Sequence, residues 1–106
     1  MIKQVTPEKL KISLDEDSSI LLLDVREPWE YQICHIDGSM NISMLNIPSA
    51  IGELDPERET VVICHHGIRS LQVANYLADQ GFNKITSLEG GVDTWAKSID
   101  QTMPQY

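Results

Sequence analysis

The sequence has few cysteines and no long apolar run. It has 106 residues and only 2 cysteines, too few for a disulfide scaffold. The longest purely aliphatic run, residues 20–23, is far too short to span a membrane. The first residues also have no apolar segment of the signal-peptide kind. We therefore expect a cytoplasmic protein with free thiols and no membrane partner.

Basic residues are scarce as well. The chain has 8 Lys and Arg against 16 Asp and Glu, which gives a formal charge of −8. This excess of negative charge argues against nucleic acid and other polyanions as partners. Acidic residues are absent, however, from residues 60–78, a stretch that contains His65, His66 and Arg69. A small anion could still bind there.

The order of strands and helices indicates the fold class. Apolar residues make up 42% of the chain and charged residues 23%, as in an ordinary globular domain. We predict one domain over residues 1–106, with a loose tail at 100–106. Strands are predicted at 2–5, 20–25, 41–42, 60–63 and 84–88, and helices at 6–13, 28–33, 48–54, 70–80 and 92–98. This alternation predicts an α/β domain, a three-layer α/β/α arrangement with a mainly parallel sheet of roughly five strands.

The segment after Ile63 is the strongest candidate for a functional site. Ligands in such folds bind at the carboxyl ends of strands, often against a helix N-terminus. Cys64 ends a predicted buried strand, and Gly67 allows the following N–H groups to turn inward, where they would stabilise an anion. Arg69 adds a permanent positive charge. We predict that Cys64 is a nucleophile, rather than a buried structural cysteine, and that substrate contacts the next five residues: His65, His66, Gly67, Ile68 and Arg69.

Four short motifs in order resemble the single-domain rhodaneses, the thiosulfate sulfurtransferase-like family. Any one of them is weak, but their order along nearly the whole chain is specific. They lie at Leu23–Glu27 with Trp29–Tyr31, at His35–Ser39 with Asn41 and Ile42, at Cys64–Ser70, and at Gly90–Gly91 with Trp95.

The resemblance implies a sulfur-transfer cycle without a cofactor. Cys64 would take sulfur from a small anionic donor such as thiosulfate and carry it as a persulfide. The acceptor would be cyanide or a thiol such as glutathione, thioredoxin or a sulfur-relay protein. The backbone amides of residues 65–69 would hold the transferred sulfur, and Arg69 would bind the donor.

Loop length bears on the reaction class. Four residues separate Cys64 from Arg69, whereas phosphatases and arsenate reductases that resemble this family use a longer loop to hold a tetrahedral oxyanion. The shorter loop therefore favours sulfur transfer. A phosphatase or arsenate reductase, and a sulfur carrier without turnover, remain as alternatives.

Three supporting residues are predicted around the loop. Ser70 follows Arg69 within the active-site motif, and Asp24 and Arg26 lie near the end of the first buried strand, on the same side of the sheet as Cys64. Asp24 and Arg26 could either support the loop or form an ordinary surface pair. Both tryptophans, Trp29 and Trp95, are expected to be packing anchors.

Cys34 stands where the family usually has glycine. It could be a second reactive thiol, but a small buried apolar residue is the simpler interpretation, with local backbone strain if glycine geometry is needed. Cys34, His35, Cys64, His65 and His66 match no common zinc spacing, so we predict no metal site. His35 is expected to make a structural hydrogen bond.

Overall fold

One parallel sheet organises the chain. The computed structural model describes residues 2–106, and its five strands run in the order β1-β5-β4-β2-β3, with every neighbouring pair parallel. The fold class predicted from the sequence is confirmed. The strands are β1 (Lys3–Val5), β2 (Leu21–Asp24), β3 (Met40–Asn41), β4 (Thr60–Ile63) and β5 (Ile85–Leu88). The helices are α1 (Pro7–Glu16), α2 (Pro28–Ile33), α3 (Ile47–Ala50), α4 (Ile68–Asp79) and α5 (Gly91–Ser98).

The two strands that carry the longest apolar runs are buried on both faces. Every residue of β2 and of β4 is buried, as expected of parallel strands covered by helices. Side chains alternate between two apolar clusters. Leu22 and Ile63 belong to one cluster, which includes Trp95 of α5, whereas Leu23 and Val62 belong to the other, which includes residues of α4. The sheet therefore separates two cores.

Helix boundaries differ from the prediction by more than one residue in three places. The first helix, predicted to end at residue 13, continues to Glu16, and Lys11 pairs with Asp15 one turn later at 2.9 Å. The predicted helix at 70–80 begins earlier, at Ile68, because Gly67 takes a left-handed φ of 100° and starts the helix there. The predicted helix at 48–54 is wrong in form. It is a single α-helical turn, Ile47–Ala50, between two 3-10 turns. Gly52, a poor helix former, interrupts it.

The tail is not loose. Met103 is 7% exposed and packs in the same cluster as Trp95, and Tyr106 packs against that cluster. The polar composition of this short segment gave no sign of that packing. Trp95 is buried as predicted, but the prediction for Trp29 is wrong, since its side chain is 61% exposed. No helix within residues 2–106 combines the length and the apolar character needed to cross a bilayer.

Candidate active site

Cys64 lies directly after β4, the middle strand of the sheet. It is a free cysteine and is 1% exposed. The backbone N–H of Gly67 donates to its Sγ at 3.0 Å, and the thiol donates to Ser70 Oγ at 3.5 Å. Ser70 Oγ in turn shares a hydrogen bond of 2.7 Å with Ser87 Oγ on β5. After loss of the thiol proton, these donors can stabilise a thiolate at Sγ.

The N-terminus of α5 fixes the loop from the other side. The N–H of Val92 donates to the carbonyl of Cys64 at 2.9 Å, and the N–H of Asp93 donates to the carbonyl of His65 at 3.1 Å. Gly91 has a φ of 61°, and a Cβ there would collide with both carbonyl oxygens. The paired glycines of the C-terminal motif thus let the helix approach the loop closely.

Arg69 is not free to act on a ligand alone. Its Nη1 and Nη2 donate to Oε1 and Oε2 of Glu30 at 2.7 and 2.9 Å, a two-point ion pair. The side chain of Glu30 is 5% exposed and that of Arg69 is 32% exposed. This pairing raises the pKa of Arg69 and holds the pKa of Glu30 near 2. Residues 60–78 contain no acidic residue, but the fold places the Glu30 carboxylate directly against Arg69 of that segment.

Asp24 and Arg26 form a completely buried ion pair. Both side chains are 0% exposed, and Arg26 Nη2 lies 2.6 Å from Asp24 Oδ2. The expectation of an ordinary surface pair is therefore wrong. Arg26 also donates to the carbonyl of Cys34 at 2.7 Å and to the Tyr106 hydroxyl at 2.9 Å. Tyr106 in turn stacks on His65, so it connects the Asp24–Arg26 pair to the Cys64 loop.

Tyr106 connects the tail to both ion pairs. Its hydroxyl donates to Glu30 Oε2 at 2.8 Å, and its ring stacks on His65 with centroids 3.9 Å apart and planes 9° apart. Burial raises the pKa of Tyr106 to about 12 and lowers that of His65. The ring of His65 also stacks on the ring of His66, with the two centroids 4.0 Å apart.

Five of the predicted site residues line one shallow depression of about 320 Å³, whereas Asp24, Arg26, Gly67 and Ser70 do not line it. Ile68 is 70% exposed at its rim, and His66 is also exposed. The N–H of Gly67 meets Sγ of Cys64. The lining residues are Cys64, His65, His66, Ile68 and Arg69.

Cys34 does not line the depression at Cys64, although it lies near His65 and Tyr106. It belongs to the apolar cluster on one face of the sheet, whereas Cys64 belongs to the cluster on the other face. Its φ of −164° is extended and needs no glycine, so the expected backbone strain is absent at this residue. These observations support the interpretation of Cys34 as a buried apolar residue.

Within residues 2–106, one group of side chains has metal-ligating atoms within 4.8 Å of each other: His65, His66 and Asp93. Asp93 already pairs with Lys97 at 3.1 Å. Cys34, His35 and Cys64 are not members of this group. The Nδ1 of His35 forms a hydrogen bond of 2.9 Å with the Tyr31 carbonyl.

The sequence analysis missed three residues that shape the site: Glu30, Ser87 and Tyr106. Glu30 lies within the first motif, so the resemblance could have drawn attention to it. Ser87 is a buried polar residue in a strand, which is unusual and a usable signal. Tyr106 carries no pattern, because it stands in a short polar tail.

Comparison with known proteins settles the family. Residues 6–98 match the profile of the Rhodanese-like domain. The chain belongs to the rhodanese family. It is 38% identical over 84 residues to the thiosulfate sulfurtransferase GlpE of Shewanella oneidensis, covering 79% of this chain and 83% of that protein.

Other relatives place the same domain in longer proteins. The chain is 35% identical over 104 residues to the probable adenylyltransferase/sulfurtransferase MoeZ of Mycobacterium tuberculosis, covering 96% of this chain and 26% of that protein. Among solved structures, a rhodanese-like domain protein of Staphylococcus aureus superposes with a TM-score of 0.85 at 27% identity, covering 99% of both chains. The names of the curated relatives support sulfurtransferase activity in general for this rhodanese chain.

Proposed function

We propose that this rhodanese moves sulfane sulfur from a thiosulfate-type donor to cyanide or a thiol acceptor through a persulfide on Cys64. The observation that carries the proposal is the contact of Cys64 Sγ with the Gly67 N–H at 3.0 Å, at the carboxyl end of the central strand. A backbone donor in this position stabilises negative charge on sulfur before and after transfer.

The first half-reaction loads the enzyme. The Cys64 thiolate attacks the outer sulfur of thiosulfate, a new S–S bond forms to Sγ, and the old S–S bond breaks. Sulfite leaves with the electron pair of that bond. The persulfide carries the negative charge that the thiolate carried before, so the Gly67 N–H serves both states.

The second half-reaction unloads it. A thiolate or cyanide attacks the outer persulfide sulfur, and Cys64 leaves as a thiolate. The products are an acceptor persulfide or thiocyanate. The same proposal sets the protein in a reducing cytoplasm, with glutathione, thioredoxin or a sulfur-relay protein as acceptor and with Cys34 and Cys64 both as free thiols.

Intact-protein mass spectrometry after thiosulfate treatment tests the loading step. We expect the wild type and the matched control Cys34→Ser to gain the mass of one sulfur atom, and Cys64→Ser to gain none. Cyanide should then remove the added sulfur and release thiocyanate over many cycles. Loading of Cys64→Ser would overturn the proposal, and loading without repeated turnover would identify a carrier.

A further inference from the structure

The Cys64 loop contains one permanently charged side chain, and that charge is cancelled. Arg69 is the only Lys or Arg between Cys64 and Ser70. Both of its terminal nitrogens donate to the carboxylate of Glu30, at 2.7 and 2.9 Å. An incoming ligand therefore meets a neutral pair and not a free guanidinium.

Glu30 is held in its charged form by several donors. Besides Arg69, the Tyr106 hydroxyl donates to Oε2 at 2.8 Å and the Glu27 N–H donates to Oε1 at 2.9 Å. With a pKa near 2, the carboxylate stays ionised at every pH at which a cysteine thiolate would react. The cancellation of the Arg69 charge therefore persists under working conditions.

Two basic side chains near the loop, His65 and Arg26, do not replace the missing charge. Burial lowers the pKa of His65, which disfavours the charged form of this ring. Arg26 is 0% exposed and is paired with Asp24. The whole chain carries a formal charge of −8, so the longer-range field also opposes anions.

We propose that Glu30 determines donor specificity: by neutralising Arg69, it weakens the preference of the site for the thiosulfate dianion over singly charged sulfane-sulfur donors. This deepens the proposed function and rests on it. Organic thiosulfonates and small persulfides are donors of the singly charged class. With a thiosulfonate, the Cys64 thiolate attacks the outer sulfur, the S–S bond breaks, and a sulfinate leaves with the electron pair.

Glu30 acts through Arg69 and is thus a positioning residue. Its effect can be separated from general damage by comparing two donors that differ in charge. Thiosulfate carries two negative charges and methanethiosulfonate carries one, while both present the same outer sulfur. The ratio of their kcat/KM values, with cyanide as acceptor, cancels any loss of activity that is common to both donors.

Four proteins make a charge series at the pair: wild type, Glu30→Gln, Arg69→Gln and the double variant. The pair is neutral in the first and last, positive in Glu30→Gln and negative in Arg69→Gln. We expect the thiosulfate-to-thiosulfonate ratio to rise about threefold in Glu30→Gln, to fall about threefold in Arg69→Gln, and to return to the wild-type value in the double variant. Added salt should reduce the gain in Glu30→Gln.

A ratio that stays constant across the four proteins, while each still loads sulfur, would overturn the proposal. A wild type that takes sulfur from neither donor would instead overturn the proposed function. The double variant also protects the test against misfolding, because it removes both charges and leaves no buried ion unpaired.

Discussion

The surroundings of Cys34 and Cys64 differ in the hydrogen-bond donors that face each sulfur atom. Both thiols are free and nearly inaccessible, at 7% and 1% exposure. The Sγ of Cys64 meets a backbone N–H at 3.0 Å and a serine hydroxyl at 3.5 Å. The Sγ of Cys34 has only a guanidinium nitrogen of Arg26 at 3.9 Å, and that group is committed to Asp24 and to carbonyls.

The difference between the two thiols lies in their supporting structure and not in their burial. Around Cys64, a glycine N-cap, a serine on α4 and the N-terminus of α5 all converge on one loop. Cys34 packs in an apolar core, and no backbone N–H or hydroxyl donates to its sulfur among the contacts of the described residues. Oriented donors are typical of reactive cysteines, and an apolar setting is typical of structural ones, so the proposed roles of the two thiols can be tested by comparing them.

The largest expected effect is on thiol reactivity. We expect iodoacetamide to alkylate Cys64 about a hundredfold faster than Cys34 at neutral pH, because the Gly67 N–H and the Ser70 hydroxyl are placed to stabilise negative charge on the sulfur of Cys64. Mass spectrometry of proteolytic peptides over time measures both rates in one sample. Cys34→Ala and Cys64→Ala serve as controls. Equal rates would show that the structural contrast has no chemical consequence.

The next effect concerns the support of the loop. We expect Gly91→Ala to lower the free energy of unfolding by about 3 kcal/mol, because its Cβ would collide with the carbonyls of Cys64 and His65 at a positive φ. Urea unfolding measures this. Gly52→Ala is the matched control, since Gly52 has open space and no positive φ, and its change should stay within about 0.5 kcal/mol.

Gly91→Ala should also slow the alkylation of Cys64 toward the rate of Cys34. If Gly91→Ala were as stable and as reactive as the wild type, α5 would not be what holds the loop. The contrast between the two cysteines would then have to come from β4 and α4 alone.

The smallest of the three effects is a pH dependence confined to the Cys64 side. The pKa of Glu30 is near 2 in the folded protein against an ordinary 4.5. A lowered pKa stabilises the fold above the ordinary value, and this stability is lost as pH falls from 4.5 toward 2. We expect a loss of about 2 kcal/mol over this range by urea unfolding. Glu30→Gln should lack this slope, and an unchanged slope would rule out Glu30 as its source.

Local pattern was sufficient to predict the framework of the fold. The apolar runs that became β2 and β4 predicted buried strands, and α2 was predicted with its observed bounds at Pro28 and Ile33. The loop after β4 was predicted as a site because strand, glycine and helix follow each other directly. Each of these inferences uses residues within a few positions of one another.

Contacts between distant residues escaped prediction. Glu30 and Arg69 are 39 positions apart, and Arg26 and Tyr106 are 80 apart, so no periodicity links them. The prediction that Arg69 binds the anionic donor therefore did not include its carboxylate partner, Glu30. The proposed roles of Cys64 and Arg69 stay predictions, which the sulfur-loading and donor-ratio experiments test.

The central position of β4 in the sheet protects the strand that ends at Cys64 from local unfolding. This strand has hydrogen-bonded neighbours on both sides and is fully buried. In native-state hydrogen exchange, amides of such a strand exchange only when the whole domain opens. Cys64 is attached to its end. The geometry at Sγ should therefore persist through fraying of β1 or β3, the two edge strands.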